Sequence, residues 1–395
     1  MSEFINASIK DGILYLEPCG RIDSANAAKV EAEIVGFRTS LEAENTVIDA
    51  ENLEYISSAG LRIILRLRKE IPELKIINAS PEVYEIFDMT GFTEMMPVEK
   101  AYRRISVEGC EVIGRGSNGL VYRIDPDTII KVYLNPDSLP DIQKERELAR
   151  KAFVMGIPTA IPYDVVKVGN SYGSVFELLN AESITKLLKK YPERIDDLTG
   201  QYVDLLKKLH STEVKPGELP DMKAVALRWV DDIRGYLSED KWKKLRALVA
   251  AVPENMHMLH GDYHVKNIMI QNGEALLIDM DTLCHGDPVF EFASIYNAYI
   301  GFYAGRPAFT GDSFVGIPYD TGVEIWNLSL KKYFGTDDEE FLKKVTDKAS
   351  IVGFTRVLRR TLRRLDMTDP VNAEAVKYYE KTIEETLDRV DSLEL

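Results

Sequence analysis

Alternating apolar and polar positions open the chain. Phe4, Ile5 and Ile9 precede Asp11-Gly12, and Ile13, Leu14, Tyr15 and Leu16 follow it, which predicts a β-hairpin turning at Asp-Gly. The period then lengthens to that of a helix at Ala27, Val30, Ile34 and Phe37, with Ser24 as its expected cap. Thr46–Ala50 reads as a buried strand, and Tyr55–Leu61 as a turn into a second helix bearing Leu61, Ile64, Leu65 and Arg68. Leu74–Asn78 is a further strand, and Ser80-Pro81 opens a helix with proline where its missing N–H costs nothing. Val98–Arg104 is expected to be helical and to run without a flexible linker into Ile105. Strands alternating with helices over this span predict a small α/β domain.

A different pattern follows. Residues 111–134 read as strand, glycine turn, strand, strand, and Gln143–Phe153 as an amphipathic helix. The helix ends before Gly156-Ile-Pro158, and Tyr172–Leu179 forms another buried strand. From Ser183 the chain turns mainly helical, through Tyr202–His210, Leu227–Val230 and Leu245–Val249. An α+β second domain with a strand-rich first lobe is expected, and no internal repeat or low-complexity segment is seen. The expected domains are residues 1–104 and 105–395, the second with lobes of about 105–179 and 180–395.

Composition narrows the function. The 395 residues are 45% apolar and 29% charged, as in ordinary globular chains. A net charge of −15 argues against general binding to nucleic acid or an anionic membrane surface. No apolar run approaches the roughly 20 residues of a spanning helix, and Met1–Asn6 lacks the pattern of a secretory leader. Cys19, Cys110 and Cys284 are far apart, without metal-ligand spacing, and read as reduced thiols, so a cytoplasmic location is expected.

The chemistry concentrates in two stretches. His260-Gly-Asp-Tyr-His-Val-Lys-Asn267 is followed by Leu277-Ile-Asp-Met-Asp281, where Asp279 ends an apolar run expected to be a strand. One carboxylate near an attacking hydroxyl, with an asparagine and a second carboxylate holding Mg²⁺ against ATP phosphates, is the equipment of phosphoryl transfer. Upstream, Val112–Val121 carries Gly114, Gly116, Ser117 and Gly119 between two strands, a loop able to present backbone N–H groups to phosphates. Lys131 follows inside an apolar strand. Its expected partner is Glu145, which shares a helix face with Leu148, Ala149 and Ala152; Glu147, four residues before Lys151, is the reserve.

These motifs resemble the aminoglycoside phosphotransferase and choline kinase-like enzymes, which have a bilobal protein kinase-like fold. The resemblance covers about residues 105–395. It implies Asp262 as the catalytic residue, Asn267 and Asp279 as Mg²⁺ ligands, and Lys131 on the α/β-phosphates of ATP. It implies backbone contacts to adenine near Glu177 to Leu179, a loop brace at Asp287 of Gly286-Asp-Pro288, and an acceptor pocket and lid within about residues 290–318. Asp281 is either a second metal ligand or an exposed neighbour. His260 and His264 are expected to shape the loop, and His210 to cap its helix.

Residues 3–104 carry a second resemblance. Gly20-Arg-Ile-Asp23, Val47-Ile-Asp49 and Ile56-Ser-Ser-Ala-Gly-Leu61 are similar to the STAS fold of bacterial anti-sigma-factor antagonists. There a serine at the start of the second helix is phosphorylated to switch a protein partner. The matching residue is Ser58, although Ser57 replaces the usual aspartate, and either serine could simply cap the helix.

The resulting expectation is a Mg·ATP-dependent phosphotransferase acting on a small-molecule hydroxyl, with a STAS-like regulatory or partner-binding domain. A protein serine kinase acting on Ser58 or on a partner's STAS domain, and a non-catalytic nucleotide sensor, remain the alternatives. Arg356, Arg359, Arg360, Arg363 and Arg364 lie on one predicted helix. They are either a solvated face paired with carboxylates or a site for an anionic acceptor or phosphorylated Ser58.

Overall fold

The protein is described by a computed structural model covering residues 3–41, 43, 45–116, 119–306 and 314–395. The chain divides into two units, Met1–Ile105 and Ser106–Leu395.

In the first unit β1 (Ile5–Lys10) and β2 (Ile13–Pro18) form the hairpin, with Asp11 at φ 51° and Gly12 at φ 77°. β3 (Gly20–Ile22) leads to α1 (Ala27–Ser40), and β4 (Asn45–Asp49) and β5 (Leu53–Ile56) to α2 (Ser58–Glu70). β6 (Lys75–Ala79), α3 (Pro81–Met89), α4 (Phe92–Met95) and β7 (Val98–Lys100) complete it. The main sheet has the order β1-β2-β4-β6-β7, parallel from β2 onward, and β3 pairs with β5 separately. Leu14, Leu16, Ile48 and Ile76 from the sheet pack with Val30, Ile34, Ile64 and Phe87 from the helices.

Two local expectations need correction. Val98–Arg104 is not a helix: Val98–Lys100 pairs with β6 and extends the sheet, Ile76 opposite Val98. The helix-like spacing of a short charged segment is outweighed by the backbone groups that β6 offers. Nor does Ser24 cap α1. That position belongs to Asn26, whose Oδ1 accepts from the Asp23 amide while its Nδ2 donates to Arg21 O, closing the turn ahead of the helix.

In the second unit β8 (Glu111–Arg115), β9 (Gly119–Asp125) and β10 (Thr128–Tyr133) precede α5 (Leu139–Val154), and β11 (Pro162–Val168) and β12 (Ser171–Glu177) complete an antiparallel sheet of order β11-β12-β10-β9-β8. The larger lobe begins with β13 (Glu182–Ser183), α6 (Ile184–Lys190), α7 (Ile195–His210), α8 (Met222–Asp232) and α9 (Glu239–Ala251). Next come β14 (Met258–Leu259), β15 (Ile268–Gln271), β16 (Glu274–Leu277) and β17 (Cys284–His285). α10 (Pro288–Tyr296), α11 (Tyr319–Phe334), α12 (Glu339–Arg364) and α13 (Pro370–Leu387) finish the chain. One apolar core, with Tyr202, Phe292, Trp326, Phe354 and Tyr379 among its largest members, fixes these helices beneath the loops joining β14 to β15 and β16 to β17. Among the described residues no helix is long and apolar enough to cross a membrane.

Candidate active site

The glycine turn sits between β8 and β9, where the Gly116 amide donates to Gly119 O at 2.9 Å. A Cβ on Gly119 would stand 2.3 Å from Val132 O, so the strand pair closes only around glycine here. Gly119→Ala is therefore expected to destabilise the smaller lobe by about 1–3 kcal/mol through forced backbone shifts. Urea unfolding checks this, and an unchanged midpoint would count against the close approach. Gly114 lies opposite Val121 on the same hairpin. Ser117 falls outside the described residues, as does the 307–313 part of the expected lid.

On β10, Lys131 stands between Val121 and Ser174 on its neighbouring strands. Its Nζ is 2.9 Å from Glu145 Oε1 on α5 and 2.9 Å from Asp279 Oδ1. Burial opposes the ammonium charge, but Asp279 and Glu145 hold its pKa well above the ordinary lysine range. Glu145 is buried and also accepts from Tyr133 OH, which secures the carboxylate against desolvation. Glu147 points elsewhere, pairing with Lys151 at 2.8 Å on the helix surface.

The loop holding Asp262 hangs from backbone contacts. The His260 and Gly261 amides donate to Glu291, a fully buried carboxylate on α10, the latter at 3.0 Å to Oε1. Ser294 Oγ and Arg356 Nη1 donate to Gly261 O at 2.9 and 2.8 Å, and Thr282 Oγ1 to His260 O at 2.7 Å. Gly261 has φ 80°, and a Cβ there would meet Thr282 O at 2.7 Å. Since the Asp262 amide donates to His260 Nδ1 (3.3 Å), the other ring nitrogen carries the proton and donates to Ile278 O (3.3 Å).

Asp262 is half-buried, with Oδ2 3.5 Å from His264 Nε2. Burial works against its charge, yet His264, then Arg356, keep the carboxyl well below the usual carboxylate range. Asn267 Nδ2 donates to Asp262 O at 3.1 Å, and the Asn267 backbone carbonyl accepts from the Ile278 amide at 3.0 Å. Ile278, the residue preceding Asp279, thus contacts both His260 and Asn267. Asp279 itself is not on a strand. It follows β16 in the left-handed conformation (φ 66°, ψ 65°) and starts a short turn over Met280–Thr282. That turn, rather than a strand alternation, places Asp281, which is exposed. Partial desolvation in the cleft, then the charges of Asp279 and Glu145, push the Asp281 carboxyl up to about 7.

At the junction of the lobes, the Glu177 amide donates to Ile161 O and the Leu178 amide to Asp127 O. Among the described residues the Leu179 amide makes no hydrogen bond.

Two expectations change, and a third that was left open divides. Asp287 does not brace the loop; it caps α10 by accepting from the Val289 amide, and Glu291, one turn further on, does the bracing. Glu291 was legible only as a lone carboxylate in the apolar run Val289–Tyr296. His210 does not cap α7: its ring is buried, Nδ1 pairs with Tyr333 OH at 2.8 Å, and Nε2 lies 3.9 Å from Glu291. The arginines divide as well. Arg359 and Arg363 pair with Asp232, Arg356 holds the loop, and Arg360 lies 5.1 Å from the Phe302 ring centroid.

Comparison with known proteins matches this description. The family model of the phosphotransferase enzyme family covers residues 109–312, and that of the STAS domain covers residues 4–105. The chain belongs to the phosphotransferase enzyme family and carries an N-terminal STAS domain: it is an enzyme, a kinase-type phosphotransferase with an α/β domain followed by a bilobal α+β domain.

The N-terminal domain is 37% identical over 92 residues to a protein of Bordetella bronchiseptica provisionally named anti-sigma factor antagonist BtrV, 22% of this chain and 78% of that one. It is 26% identical over 91 residues to the anti-sigma F factor antagonist of Paenibacillus polymyxa, with the same coverages of 22% and 78%. Similar solved structures include ADP-bound aminoglycoside phosphotransferase APH(2'')-Ib, at 14% identity and TM-score 0.49, covering 77% of this chain and 98% of that one. A choline/ethanolamine kinase family protein from Mesorhizobium loti gives 15% identity and TM-score 0.46, with coverages of 71% and 88%.

Proposed function

We propose that the protein transfers the γ-phosphate of Mg·ATP to a hydroxyl of a small molecule. The observation that carries this reading is Lys131 Nζ held between Glu145 and Asp279, at 2.9 Å from each, with Asp279 joined through Ile278 to the loop bearing Asp262 and Asn267. Lys131 is a fixed cation for the α/β-phosphates, and the glycine turn between β8 and β9 is the proposed source of further backbone donors to the same phosphates. The Leu179 amide, two residues after Glu177, is the donor for the adenine edge.

The acceptor hydroxyl oxygen attacks the γ-phosphorus, the bond to the β–γ bridging oxygen breaks, ADP departs, and the hydroxyl proton passes to Asp262. His264 keeps that carboxylate ionised and turned toward the hydroxyl. Asn267 Oδ1 and the Asp279 carboxylate are hard oxygen donors of the number Mg²⁺ takes from protein when phosphates and water complete its octahedron, so the residues fit the ion. Bound there, Mg²⁺ would neutralise charge developing on the phosphates.

A small acceptor is supported by the short path from Asp279 to Asp287, nine residues with both ends counted, that runs through one turn and β17. A segment able to hold a peptide does not fit within it. In the STAS domain, Ser57 takes the capping role by accepting from the Ala59 amide at 3.3 Å, which leaves Ser58 exposed at the first helical position. Added negative charge is tolerated there. Ser58 is thus our proposed modification site for regulating a protein partner.

The test follows ADP release and intact mass of the full chain with Mg·ATP, comparing wild type, Asp262→Asn and Ser58→Ala. ADP release that depends on Asp262, without a gain in mass, is the expected result. A gain of one phosphate lost in both variants would instead favour a serine kinase acting on Ser58. ATP binding with no transfer to any acceptor would leave a nucleotide sensor.

A further inference from the structure

Arg356, Arg360 and Arg364 are spaced by four and share one face of α12. The first is anchored to Gly261 O, the carbonyl preceding Asp262, and so sets where the stripe begins. One turn on, Arg360 lies over Phe302, 5.1 Å from its centroid. Phe302 stands 4.7 Å from Phe314, and Phe314 stands 5.4 Å from His264, whose Nε2 is 3.5 Å from Asp262. An aromatic wall therefore connects Asp262 to Arg360 contact by contact. A further turn on, Arg364 lines a cavity of about 450 Å³ with the carboxylates Asp141, Glu145 and Asp281 and with Lys144.

Among the described residues no carboxylate stands within ion-pair distance of Arg360 or Arg364, whereas Arg359 and Arg363 on the neighbouring face take Asp232. Arg306 approaches the stripe as well, its Nη2 3.3 Å from Thr361 Oγ1. Desolvation, then the like charges of Arg364 and Arg356, work against the Arg360 guanidinium, and Asp262 opposes them. Concentrating cations beside a catalytic carboxylate, in a chain of net charge −15, suits a ligand that brings the missing negative charge. Cationic acceptors would be repelled.

We infer that the phosphate acceptor is a small hydroxylated anion, carrying a carboxylate or a phosphate, with its hydroxyl at Asp262 and its anionic group on Arg360, Arg364 extending the field. The guanidinium fork pairs both kinds of oxyanion through two donors. This inference rests on the phosphotransferase reading of the same site.

The experiment uses the full chain with Mg²⁺ and a non-hydrolysable ATP analogue. Calorimetry measures binding of four probes on one skeleton: glycerol, glycerol 3-phosphate, glycerate and 3-amino-1,2-propanediol. The two anions are expected to bind about 10- to 100-fold more tightly than the neutral and cationic probes, the range expected for charge-assisted hydrogen bonds. Arg360→Gln is expected to remove that preference and Arg360→Lys to restore part of it, both without altering Mg·ADP affinity. Equal binding of all four, preference for the amine, no binding of any at millimolar concentration, or an unaltered preference in Arg360→Gln overturns the inference. Failure of the wild type to bind Mg·ADP marks failure of the phosphotransferase reading itself; intact ADP binding without anion preference refutes the anionic acceptor alone.

Discussion

Asp262→Asn is expected to lower the rate of phosphate transfer by about three orders of magnitude, the scale of a positioned general base, while Mg·ADP binding and the unfolding midpoint stay near wild type. The reason lies in how the loop is built. The Asp262 amide is held by His260 Nδ1 and its carbonyl by Asn267 Nδ2, so the scaffold uses the backbone of this residue rather than its side chain. The side chain contributes one neighbouring contact, 3.5 Å to His264, and is half-buried. Asparagine fits the same space but cannot take a proton from the acceptor hydroxyl. The loss should appear in kcat, with KM for ATP little changed, because the substitution leaves Lys131, Asn267 and Asp279 untouched. Steady-state ADP release in the presence of an acceptor separates the two parameters. Transfer within tenfold of wild type would remove Asp262 as the base and leave it a positioning residue.

Much of the smaller lobe's share of the candidate site was legible because local rules decide it. Glycines between two alternating strands specify a hairpin that a β-carbon would block, as the approach of Gly119 to Val132 illustrates. Glu145 could be chosen over Glu147 from helix periodicity, since it shares the buried face with Leu148 and Ala149.

The loop bearing Asp262 was legible as a motif but not as a structure. Asp279 continues an apolar run and looks like a strand residue, yet it adopts a left-handed conformation. Its setting comes from long-range contacts, to Lys131 and through Ile278 to the loop. The same holds for His210, whose end-of-helix position suggests a cap. Tyr333, more than a hundred residues later, claims its Nδ1 instead. Val98–Lys100 shows the converse, a segment without strong strand character recruited by the edge of β6. Spacing along a helix also could not say which arginines of α12 meet carboxylates, because Asp232 belongs to α8.

Glu291→Leu should unfold the phosphotransferase unit at markedly lower urea, and it should impair transfer even where the fold survives. Glu291 is fully buried, and its two oxygens accept from the His260 and Gly261 amides. Leucine matches the apolar surroundings of α10 but leaves both donors without a partner. Each buried polar group so orphaned costs about 1–3 kcal/mol, giving a loss of about 2–6 kcal/mol if both remain dry. Glu291→Gln keeps one acceptor oxygen and should cost less. The order wild type, Gln, Leu in unfolding midpoint is therefore the signature of a backbone brace.

Activity offers an independent readout, because Gly261 O also receives Ser294 Oγ and Arg356 Nη1, so a displaced Gly261 disturbs three contacts next to Asp262. Glu291→Gln should accordingly lower kcat at temperatures where it is still folded, with nucleotide affinity retained. If Glu291→Leu matches wild type in both midpoint and kcat, the loop is held by Thr282, Ser294 and Arg356 alone, and Glu291 is a passenger in the core.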